Sequence, residues 1–130
     1  MKEPVLYAPL TFHNASCEEK KKVCNGCGAK DGVNVPNTMY GLDISQACHI
    51  HDWMFEEGKT LADFIFANAM FIVNLTRIIV HKSANKFMVS LRLLRASKYF
   101  TAVVLYGHEA YWKNKTENRK MNITYKGEFR

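Results

Sequence analysis

The sequence predicts a mostly helical fold: two antiparallel core helices plus a third C-terminal helix, preceded by a Cys- and Gly-rich N-terminal loop. Three observations predict it. Asp43 and Ser45 are capping residues at the head of a short patterned segment and Gly58 closes it, so residues from Leu42 to Phe55 read as a helix. Fifteen of the twenty residues from Leu61 to Val80 are apolar, with Thr60 placed to cap them, which reads as a long core helix reaching about His81. From Phe87 to Tyr106 apolar residues recur at helical spacing, which gives the third helix. A chain of 130 residues that is 48% apolar makes one domain with a core large enough to fold without disulfides.

In chain order, the first ten residues hold two prolines in an apolar run too short for a signal-peptide core. No signal peptide is expected, and the chain reads as cytoplasmic. The sequons at Asn14, Asn74, Asn114 and Asn122 are then chance matches. A short helix over Glu18 to Lys22 leads into the turn-rich Cys24-Asn25-Gly26-Cys27-Gly28. The long helix passes for a membrane span by length, but Asp63, Asn68, Asn74 and Arg77 would be costly in lipid, so no transmembrane helix is expected. In the third helix Leu91, Leu94, Ala102 and Leu105 are expected to face inward, with Lys86, Arg92, Arg95 and Lys98 around the outer side. Gly107 is expected to stop it before an aromatic turn, His108 to Trp112, and residues 113–130 read as a basic tail or one short strand.

The chemistry concentrates in Cys48-His49-Ile50-His51-Asp52-Trp53-Met54-Phe55. On a helix Cys48, His51 and Phe55 share one face, while Asp52 lies about 100° round the axis from His51. An imidazole is the natural base near neutrality, and a carboxylate beside it can hold a hard cation through oxygen.

The pattern Cys48-x-x-His51-Asp52-x-x-Phe55 resembles the active-site helix of the phospholipase A2 superfamily, in its small prokaryotic or viral form, over roughly residues 24–71. That resemblance implies calcium-dependent hydrolysis of the sn-2 ester of glycerophospholipids. It implies that His51 activates water and that Asp63 on the next helix orients it. Calcium would sit on Asp52 and on the loop holding Asn25, Gly26 and Gly28, whose backbone would also stabilise the oxyanion. Two departures stand out: residues Val33 to Gly41 lengthen the path from loop to helix, and Phe55 stands where the family has a tyrosine. Tyr40 or another tyrosine is the replacement the chain offers. The chain also resembles phage or prophage proteins carrying the same elements, which implies that it is phage- or host-associated.

A different reading treats Cys24-x-x-Cys27 as a knuckle, with Cys17 and Cys48 or a nearby histidine completing a zinc site. A redox dithiol at Cys24 and Cys27 is a third, lacking the flanking strand–helix pattern. Asp63 also has a plainer role, as an acid in the first turn of a helix. The net charge of +6 points to an anionic partner. Under the hydrolase reading that partner is a phospholipid membrane surface, with no nucleic acid expected; under the zinc reading the basic helix of a non-catalytic binding module meets it.

Overall fold

The structure is a computed structural model that describes residues 4–24 and 36–112, apart from the side chains of residues 109 and 110. Among these, five helices and one two-stranded hairpin follow in the order α1 (Leu10–Asn14), α2 (Cys17–Val23), β1 (Thr38–Met39), β2 (Leu42–Asp43), α3 (Ser45–Glu57), α4 (Leu61–Lys82) and α5 (Lys86–Trp112). The fold is mostly helical, with α4 packed against both α3 and α5.

Local chemistry sets most of the element ends. Ser16 and Glu19 form a reciprocal capping box at the head of α2, and Thr60 and Asp63 form another at the head of α4. The helix expected from Leu42 begins instead at Ser45. Tyr40 (φ 50°) and Gly41 (φ 81°) both take left-handed backbone, the requirement of a two-residue hairpin turn, so Thr38 pairs with Asp43 and Met39 with Leu42. Asp43 still serves the helix start: its carboxylate accepts from the Ser45 N–H at 2.9 Å and the Ser45 hydroxyl at 2.6 Å, and these bonds hold its pKa below the usual carboxylate range.

The core lies on both flanks of α4. Ala47 and Cys48 of α3, Leu75 and Ile79 of α4 and Ala96 of α5 pack together, and Ile50, Met54 and Ala67 meet Phe12 of α1 in a second cluster. The extended residues before α1 are tied to α4 by Asn74. Its amide accepts from the Tyr7 N–H at 2.8 Å and donates to the Tyr7 carbonyl at 2.9 Å. Asn74 is fully buried, so its sequon is closed in the folded chain.

The third helix differs from expectation in length and register. It runs through Gly107, which is buried, and a Cβ there would lie 3.2 Å from the Phe55 ring. Glycine at this position permits close approach and does not end the helix. The inward face carries Arg92, Ala96, Tyr99 and Tyr111, while Leu94 and Leu105 are exposed. Arg92, expected outside, is 9% exposed and clamps the hairpin: its guanidinium donates to the carbonyls of Met39 at 3.1 Å and Tyr40 at 2.6 Å and to the Ser83 hydroxyl at 3.0 Å. Three bonds to oxygen offset the cost of burying the charge.

In length and composition α4 meets the requirement for a membrane-crossing helix. In the fold its buried side includes three polar residues, Asp63, Asn68 and Asn74.

Candidate functional site

His51 sits on the inward face of α3, where the i, i+3 and i+4 rows bring Cys48 and Phe55 alongside it. Its ring is 6% exposed and lies between Phe55, at 4.1 Å between centroids, and Phe71 of α4, at 4.7 Å. Nε2 is 2.8 Å from the Asn68 side-chain oxygen. With an oxygen facing it, Nε2 donates, and the lone pair falls on Nδ1. Among the described residues, the buried side-chain nitrogen or oxygen without a hydrogen-bond partner is Nδ2 of Asn68. Burial drives the His51 pKa down from 6.5 to about 4, against a smaller raising effect of the bond to Asn68, so the ring is neutral at neutral pH.

Asn68, not Asp63, is the α4 residue that holds this ring. Asp63 is fully buried at the helix start, where Oδ2 accepts from the N–H groups of Lys59 at 2.9 Å and Thr60 at 3.2 Å. Its own N–H donates to the Thr60 hydroxyl at 3.1 Å. Five residues of helix place Asn68 about 140° further round and about 7.5 Å further along the axis, level with His51. The capping role that any first-turn acid could fill is the one Asp63 performs. A sequence signal for Asn68 existed: an amide within a long apolar run must find a partner once buried.

The tyrosine beside this region is Tyr111, at the end of α5. Tyr40 is exposed at the hairpin turn. The Tyr111 ring meets Phe55 edge-on at 5.2 Å, and its hydroxyl donates to the Thr60 carbonyl at 2.6 Å. Burial first, then the charge of Asp63, push its pKa upward. Taking His108 to Trp112 as a turn concealed this contact, because the register of α5 decides it.

Asp52 is half-buried on the neighbouring face of α3. Its charge bears on the Cys24 thiol, whose pKa is pushed up to about 11 by burial first and by Asp52 second. Cys24 Sγ also donates to the His49 carbonyl at 3.2 Å. The carboxylate expected to hold calcium therefore lies near the last described residue before the glycine segment. Asn25, Gly26 and Gly28, the other expected calcium contacts, fall outside the described residues, as does Cys27.

The cysteines do not form the expected zinc set among the described residues. Cys48 is disulfide-bonded, which removes it as a thiolate ligand, while Cys17 and Cys24 are free. Cys17 is exposed, and the raised pKa keeps Cys24 a neutral thiol. No group of three or more His, Cys, Asp or Glu side chains placed to hold a metal occurs among the described residues. No family model, no curated protein and no solved structure matches the chain.

Proposed function

We propose that the chain is a calcium-dependent hydrolase of the sn-2 ester of glycerophospholipids, acting at a phospholipid surface through a water activated by His51. The observation that carries this reading is the His51 imidazole held at Nε2 by Asn68, on the helix α3 whose next residue is Asp52. A base needs its other nitrogen oriented, and the bond to Asn68 supplies that. Nδ1 would take a proton from water as the water attacks the ester carbonyl carbon. The tetrahedral intermediate would then collapse, breaking the acyl C–O bond as the imidazolium returns that proton to the leaving glyceryl oxygen, with Nε2–H bonded to Asn68 throughout. An amide supports the resulting imidazolium less than a carboxylate would, so turnover is expected to be slow.

Asp52 fits a calcium site in kind: it offers hard oxygen donors next to His51 and near the start of the glycine segment. Calcium bound there would polarise the ester carbonyl. Asp52 would supply negative charge to hold the ion, and the aromatic rings of Phe55 and Phe71 limit water around the base.

The test is fatty-acid release from phospholipid vesicles with calcium and with a chelator, for the native chain and for His51→Ala and Asp52→Ala. Release is expected only with calcium, and a loss of about a hundredfold or more is expected in each variant. Release that survives His51→Ala, or none from the native chain, overturns the reading.

A further inference from the structure

We infer that the outward face of α5 is a docking surface for an anionic lipid bilayer. The helix carries apolar side chains on two opposite sides. Ala96, Tyr99 and Tyr111 are buried on the inward side. Half a turn away, Phe87, Leu94 and Leu105 are 69%, 67% and 63% exposed. At 100° per residue these three fall within about 20° of one another, in a row about 27 Å long. An ordinary surface helix is polar on the side away from its core, so a second apolar row signals a second neighbour.

Charge selects the neighbour. Lys98 falls in the same row, and Lys86 and Arg95 are exposed on the same helix. From Lys86 to His108 there is no Asp or Glu to balance them. A second copy of the chain would set these cations against their like. Anionic headgroups complement them, and the Lys98 stem can lie among apolar neighbours while its ammonium reaches the phosphate level. The inference deepens the proposed function by naming where the lipid surface is met, and it stands whether or not His51 cleaves an ester.

The experiment is co-sedimentation of the full chain with vesicles of phosphatidylcholine alone or mixed with phosphatidylglycerol. The native chain is compared with His51→Ala and with the double variant Leu94→Ser/Leu105→Ser, which alters only exposed positions and leaves the charge untouched. Native chain and His51→Ala are expected to bind the mixed vesicles alike, and the double variant about tenfold or more weakly at an unchanged melting temperature. Equal binding by the double variant overturns the proposal, since attraction would then come from charge elsewhere. So does a stable dimer of the native chain that the double variant dissolves, because the row would then belong to a second copy. Hydrolysis failing while the double variant still loses binding would reject the His51 reading alone.

Discussion

Two polar clusters stand five residues apart on α4, and they differ in how fully they are closed. At the helix start, Asp63 and Thr60 exchange hydrogen bonds, the Lys59 N–H adds another, and the Tyr111 hydroxyl satisfies the Thr60 carbonyl. Further along, Asn68 makes one bond to His51 and leaves a buried N–H group without a partner. The first cluster is what a buried helix end requires. The second costs about 1 to 3 kcal/mol for its orphan donor and returns no architecture for it. Costs of that kind are kept where a group has a task other than folding. Closure therefore separates the structural acid from the candidate chemical group better than charge does, since the charged residue is the structural one.

The largest expected effect is that of pH, in the presence of a chelator. The folded His51 pKa is near 4 against an ordinary 6.5, so on acidification the unfolded chain takes up this proton first. The stability gained by keeping the ring neutral is whole above about pH 6.5 and is lost as the pH falls toward 4, a change of ~3 kcal/mol. Denaturant unfolding at neutral pH and near pH 4 should show that loss, and His51→Phe should remove this share of it. An unchanged slope in the variant would mean that His51 is not the buried base described.

A somewhat smaller effect is expected at the closed cluster. Asp63→Ala strips the cap from α4 and should cost ~2 kcal/mol in unfolding free energy. The NMR signals of the His51 ring should stay in place. Movement of those signals would break the division between the two clusters.

The smallest effect tests the open one. Asn68→Asp keeps the acceptor facing Nε2, removes the orphan donor and adds a charge, so the His51 pKa should rise by about one unit, equivalent to ~1.4 kcal/mol. Imidazole NMR titration in chelator reads it directly. A pKa that stays near 4 would show that the Asn68 bond does not form in solution.

What was legible in the sequence follows the reach of each signal. Caps act within one turn, so the cap at Thr60 could be read from its neighbours alone, whereas Ser16 caps a helix expected only from Glu18, and Asp43 bonds Ser45 while Ile44 holds the N-cap position of α3. The one-face grouping of His51 and Phe55 is likewise a property of helical spacing, and the rings meet at 4.1 Å between centroids, tilted by 45°. The orienting partner of His51 was not legible as Asn68, because it depends on how far α4 slides along α3, a tertiary quantity. The phospholipase resemblance implies Asp63 instead, which lies about 140° away on the same helix. The register of α5 is hidden for another reason: with apolar residues on two sides, periodicity cannot tell core from surface, so Leu94 and Leu105 read as inward and Arg92 as outward, the reverse of their places in the fold. The hairpin at Tyr40-Gly41 was missed because a glycine beside an aromatic is a weaker turn signal than Asn-Gly.

The paired amide bonds between Asn74 and Tyr7 bear on how the chain can be handled. Trimming the amino end past Tyr7 would leave both halves of a fully buried carboxamide without counterparts in the middle of the longest apolar element. The segment ahead of the first helix is thus a latch on the interior, and an affinity handle is better attached ahead of it than spliced in its place.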